Sequence, residues 1–135
     1  MFAALPLMIL PVLAYNLMAM AMGGLHARDI AQRLAGEIVG VPMASRVDWP
    51  LNLGDLFVAG ALVVLFVELL KSAASRHMAV INHSLSIVLF IGCLVEFLIF
   101  PAFATSTFFL ITLMVFLDVL AGFLITLAAE RRGDG

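Results

Sequence analysis

The sequence predicts an all-α polytopic membrane protein, with four transmembrane helices and one short interfacial amphipathic helix in a single domain over residues 1–135. Three observations predict it. Hydrophobic residues make up 64% of the chain and charged residues only 12%, with a mean hydropathy of +1.19. An ordinary globular domain is about half apolar and roughly a quarter charged, so this much apolar surface calls for lipid as its solvent. Four apolar runs reach the length of ~20 residues that a helix rising 1.5 Å per residue needs to cross the hydrocarbon core. Between the first two lies one stretch of mixed charge with helical periodicity. At 135 residues the four spans leave no room for a separate soluble domain.

The first run covers residues 2–22. Pro6 and Pro11 delay or kink its helix, and Tyr15-Asn16 lies toward its far end. Ala19 and Ala21 make an A-x-A-like site, but no Lys or Arg precedes the run as in a secretory signal. The expectation is a retained span.

Gly23-Gly24 then leads into residues 26–39. Ala27, Ile30, Ala31, Leu34 and Ile38 fall at helical spacing, opposite Arg28, Asp29, Gln32, Arg33 and Glu37. Asp29–Arg33 and Arg33–Glu37 are i,i+4 pairs of opposite sign. The pattern reads as an amphipathic helix in the membrane interface, stopped by Gly40 and Pro42. Residues 41–53 read as irregular, with the only tryptophan, Trp49, as an interface anchor.

The second span covers residues 53–70. Asn52 and Asp55 form an N-cap pair at its start, and Glu68 and Lys71 an acid–base pair at its end. Residues 72–82 form a polar connector with Arg76 and His77. The third span, residues 83–103, is interrupted at Pro101; the fourth, 106–129, follows the bend Thr105-Ser106-Thr107. With four spans, both termini share a side with the connector. Lys71, Arg76, Arg131 and Arg132 on that side face Arg28, Arg33 and Arg46 on the other. The positive-inside rule then places both termini in the cytoplasm.

The chemistry resides in the intramembrane acids. An ionisable residue near a span centre costs about 2.5–3.5 kcal/mol on insertion scales and by default marks function. From the outer end, helical rise places Glu96 at ~12 Å, Asp118 at ~18 Å and Glu68 at ~21 Å, with Asn16 near the level of Glu96. Thr107, Asp118, Gly122 and Thr126 share one side of the fourth span, and Gly92 lies one turn from Glu96. Small residues beside an acid admit a neighbouring helix. Asn16 or Thr126 is therefore the expected partner of Asp118, while Glu68 is expected to snorkel to Lys71. Cys93 reads as a small buried thiol, and His26, His77 and His83 as helix-end or loop residues. No cofactor motif, metal site or basic run for nucleic acid stands out.

Two resemblances bear on function. Length and span number resemble the small multidrug-resistance transporters, but that family's first-helix glutamate has only Asn16 here, so the chain is not read as one. Residues 53–131, with Phe66-Val-Glu-Leu-Leu-Lys71, Asn82-His-Ser-Leu-Ser86 and Phe116-Leu-Asp-Val-Leu-Ala-Gly122, loosely resemble uncharacterised small bacterial inner-membrane proteins; this implies no activity. The sequence therefore reads first as a non-catalytic accessory or assembly subunit of a membrane complex or homo-oligomer. Its partners would be the bilayer and other membrane subunits or itself, with Glu96, Asp118, Gly92 and Gly122 at helix contacts. The second reading is a proton- or cation-coupled transporter or channel using Asp118 and Glu96, with Glu68 as relay. A pore-forming lysis protein is a distant third.

Overall fold

A computed structural model describes residues 5–74 and 79–133. The order is α1 (Ile9–Ala21), α2 (Ile30–Ala35), β1 (Glu37–Pro42), β2 (Asp48–Asn52), α3 (Leu53–Ala74), α4 (Ala79–Ile99) and α5 (Ser106–Gly133), with a 3-10 turn at Pro101–Phe103. Among the described residues, three helices are long and apolar enough to cross a membrane: Leu53–Lys71, Val80–Ile99 and Ser106–Ala128 within α3, α4 and α5. Of the first predicted span, residues 2–22, residues 2–4 lie outside the described residues, and among the rest the helix covers the thirteen residues of α1. At 1.5 Å per residue α1 rises ~20 Å, short of a ~30 Å hydrocarbon core.

The helices follow from local chemistry. Met8, Val12, Tyr15 and Ala19 recur at three- and four-residue intervals along one side of the first segment and are all buried. The run stops at Gly23 and Gly24, whose φ angles of 123° and 91° lie in the left-handed region that glycine adopts without a Cβ clash. The predicted cap of α3 forms in both directions: Asp55 N–H donates to Asn52 Oδ1 at 2.8 Å, and Asn52 N–H to Asp55 Oδ2 at 3.2 Å. The third span starts and ends earlier than its predicted 83–103, because Pro101 forces Phe100 into extended backbone (ψ 124°) and closes α4 at Ile99. The fourth begins at Ser106 as predicted. Thr105 caps it by accepting from Phe108 N–H at 3.1 Å, and the helix continues past residue 129 to Gly133.

The interfacial segment is the main correction. The helix expected over residues 26–39 is confined to Ile30–Ala35, and Glu37–Pro42 is a strand paired antiparallel with Asp48–Asn52. Gly36 turns extended (ψ 131°), and the β-branched Ile38, Val39 and Val41 that follow favour a pleated strand over a helix. Ile30 and Leu34 are buried as predicted, but Ile38 is exposed, and Glu37 falls outside the helix that would have paired it with Arg33. Asp29 and Arg33 do pair, at 2.9 Å on the surface. Trp49 sits on β2, half exposed. Arg76 and His77 lie outside the described residues.

α5 is the central element, packing along both α3 and α4 and touching α1. It buries Phe108, Ile111, Thr112, Met114, Val115 and Asp118. At the end of the bundle near the β-hairpin, Tyr15 joins three elements. Its hydroxyl donates to the Ala102 carbonyl at 2.9 Å and lies 2.7 Å from Thr105 Oγ1; its ring touches Phe57, Phe103 and Phe108. The opposite faces of the helices, with Leu10, Leu17, Val63, Phe66, Val88, Leu98 and Leu124, point outward.

Candidate functional site

At the end of the bundle away from the hairpin, polar side chains from α3 and α4 converge on α5. Glu68 of α3 is fully buried. Its Oε2 accepts from Leu7 N–H at 2.9 Å and lies 3.2 Å from Lys71 Nζ. Lys71 also donates to the Leu5 carbonyl, so residues 5–7 lie over this acid–base pair. The predicted pairing with Lys71 is present, but Glu68 does not snorkel outward; the backbone ahead of α1 supplies the donor that water would have given.

Asp118 faces α4. Ser86 Oγ donates to its Oδ2 at 3.0 Å, and both residues are buried. The expected partners are not the ones used. Thr126 bonds the Gly122 carbonyl of its own helix at 2.9 Å, and Asn16 reaches Glu96 instead. Glu68 and Lys71 are near enough to act electrostatically on the Asp118 carboxyl. These residues thus form one cluster across α3, α5 and α4.

One turn along α5 from Asp118, Gly122 lies against His83. A Cβ there would stand 2.6 Å from His83 Nδ1, so glycine is required for the α4–α5 approach. Gly122→Leu is expected to push α4 and α5 apart and cost about 1–3 kcal/mol, as overpacking does. Thermal unfolding in detergent checks it, and a Tm unchanged from wild type would refute the close approach. The other predicted packing residues differ: Gly92 has open space where a Cβ would project, and Thr107 packs on Gly54 of α3.

Three atoms around this cluster are buried without a hydrogen-bond partner among the described residues: Glu68 Oε1, Asn82 Nδ2 and His83 Nδ1. Buried polar atoms are nearly always paired, with protein or with ordered water. His83 reads from the sequence as a helix-end residue, and Asn82 and Ser86 carry no role there. Their signal was present, since Asn82, His83 and Ser86, at i, i+1 and i+4, fall on one side of the helix start, with Ser84 exposed beside them.

Glu96 belongs to a separate group. Asn16 Nδ2 donates to Glu96 Oε1 at 3.4 Å and to the Val12 carbonyl at 2.8 Å, linking α1 to α4 at the level predicted. Between this pair and Asp118 the core is mainly apolar, with Leu65, Ile111, Met114 and Val115. Buried Thr112 and Cys93 are the polar exceptions, and Thr112 bonds its own helix at Phe108 O. Near the hairpin, an open crevice of about 300 Å³ is lined in part by Asn52, Gly54, Asp55, Thr105, Ser106 and Thr107; Asn52, Asp55 and Thr105 already cap helices there. Among the described residues no three His, Cys, Asp or Glu side chains converge as a metal site.

The fold and the cluster define a class, a small helical protein with three membrane-length helices and a buried acid–base group at one end. Comparison with known protein families, with characterised proteins and with solved structures returns no match to the chain.

Proposed function

We propose that this is a multi-pass membrane protein that binds and releases a proton at the Glu68–Lys71–Asp118 cluster, coupling that exchange to a conformational change. The observation that carries this reading is the burial of two carboxylates, Glu68 and Asp118, at one end of the bundle, where among the described residues the one ammonium group, Lys71, pairs with Glu68. With both acids ionised the cluster holds one uncompensated negative charge in a low-dielectric setting, and protonation removes it. A proton fits better than a metal cation, because the Lys71 ammonium already stands at Glu68 and, among the described residues, no three acidic, His or Cys side chains converge there. The unpaired atoms of Glu68, Asn82 and His83 are suitable partners for internal water, which accepts and donates at once. The apolar core between Asp118 and Glu96 argues against an open pore and for a site loaded from the Lys71 side. On the positive-inside reading that side is the cytoplasm of a bacterial inner membrane.

Proton uptake in reconstituted vesicles tests the proposal. Asp118→Asn keeps an oxygen to accept from Ser86, so folding should change little while proton flux falls at least about tenfold, the scale of losing a positioned acid–base group. Wild-type flux no greater than that of empty vesicles, or flux surviving in Asp118→Asn, would defeat it.

The accessory-subunit or homo-oligomer reading remains as the second proposal, on a different observation. Only 17–33% of each membrane-length window is buried within the chain, and Gly60 and Gly92 leave open notches on the helix surfaces where a further helix could pack closely. It ranks second because Asp118 and Glu96 find partners inside one chain and do not require another to complete them. The native mass of the protein in mild detergent, with co-migrating chains identified, separates the two; a fixed set of larger subunits favours the accessory role.

A further inference from the structure

The hairpin carries an inference independent of the acid cluster. Antiparallel pairing sets Val39 opposite Leu51 and Val41 opposite Trp49, and Met43 N–H continues the ladder to the Val47 carbonyl. Directly opposed residues project to the same side. Val39, Val41, Met43, Val47, Trp49 and Leu51 therefore form one face, entirely apolar. Gly40, Pro42, Asp48 and Pro50 form the other, and the Glu37 carboxylate lies over Gly40, where a Cβ would meet its Oε1 at 2.9 Å. Most of the apolar face is left uncovered by the described residues: Val47 is 65% exposed and Trp49 48%, and only Val41 and Leu51 are half-buried. A two-stranded ribbon with an apolar face in water would be marginal, so this face needs a partner.

We propose that the hairpin lies on the membrane with its apolar face inserted at the headgroup–acyl boundary of the leaflet on its own side, and that the occupant of this face is lipid. Position argues for lipid. β2 ends at Asn52 and the membrane-length helix begins at the next residue, so the base of the ribbon is at the membrane boundary. Five strand residues at ~3.3 Å each extend the apolar face about 17 Å from there. The helix that follows directly from β2 also exposes Leu56 in its first turn, so apolar surface continues along the chain from the ribbon into α3. No charge interrupts the ribbon's apolar face. Glu37 and Asp48 remain on the side that would meet water, and Arg46 stands exposed at the turn, within reach of phosphates. An indole that is half covered suits this depth.

The protein holds one tryptophan, so all indole fluorescence reports Trp49. The full chain is reconstituted in phosphatidylcholine vesicles, with and without bromine on the acyl chains, and with iodide on both sides of the membrane. Expected are emission blue-shifted from that of indole in water, strong quenching by bromine near the carbonyl end of the chains, and iodide quenching several-fold weaker than for free indole. The double substitution Met43→Asp/Val47→Asp should return the emission toward that of exposed indole while helical circular dichroism is retained. A water-like emission of the wild type with full iodide quenching overturns the proposal. So does a blue-shifted emission that brominated lipid leaves unquenched, since the face would then be covered by protein, a second copy included. The wild-type readings alone decide the matter if the double variant fails to fold.

Discussion

Tyr15→Ala is expected to be among the most destabilising single substitutions, at about 3–5 kcal/mol, the range for truncating a buried aromatic side chain. The ring packs against Phe57, Phe103 and Phe108, which belong to α3, the 3-10 turn and α5. Its removal would leave a void where α1 meets all three. Its hydroxyl is the connection between α1 and the Ala102–Thr105 turn, so Tyr15→Phe isolates the polar share. That change strands the Ala102 carbonyl and is expected to cost about 1–3 kcal/mol, the penalty of an unsatisfied buried group. Unfolding by increasing mole fraction of a denaturing detergent, followed by helical circular dichroism, measures both. A Tyr15→Ala protein within about 1 kcal/mol of wild type would show that the hub does not organise the bundle.

Glu68→Leu is expected to cost a similar amount, about 3–5 kcal/mol, the range for removing one member of a buried ion pair. Glu68 is fully buried, and Oε2 serves both the Leu7 amide and the Lys71 ammonium. Lys71 is partly exposed and can turn toward water, which places the loss at the lower end. Glu68→Gln retains an oxygen for Leu7 N–H and should lose less. The double variant Glu68→Leu/Lys71→Met should recover part of the stability, because the charge left behind is removed as well. The same unfolding measurement closes the cycle; additive losses in the double variant would mean that the two side chains do not act as a pair. Loosening of residues 5–7 over the cluster, read as faster amide exchange at Leu7, should accompany Glu68→Leu but not Glu68→Gln.

The site was partly legible before the structure. Glu68, Asp118, Glu96 and Asn16 stood out because polar groups in apolar helices are conspicuous; the Glu68–Lys71 pairing follows from helical spacing, and depth sets Asn16 near the level of Glu96 although the expected partner of Asn16 was Asp118. The partner of Asp118 follows from neither. Depth along a helix is one coordinate, whereas the choice between Asn16, Thr126 and Ser86 depends on rotation about the axis and on which helix lies beside α5. Gly92 and Gly122 illustrate the same gap. Each sits one turn from an acid, yet only Gly122 meets a neighbouring helix.

What the sequence by itself determined about this protein is its class and its punctuation. The hydropathy demands apolar surroundings for three long helices, and Gly23-Gly24, Asn52/Asp55, Pro101 and Thr105 mark ends that local sterics and hydrogen bonding dictate. Only the tertiary structure decided the hairpin and the inner cluster. In residues 26–39 a few apolar positions fit helical and strand periods alike, and pairing with residues 48–52, distant in sequence, broke the tie. In the cluster, Glu68, Asp118 and Ser86 lie on three helices, so their meeting depends on how α5 packs between α3 and α4, which no local pattern encodes.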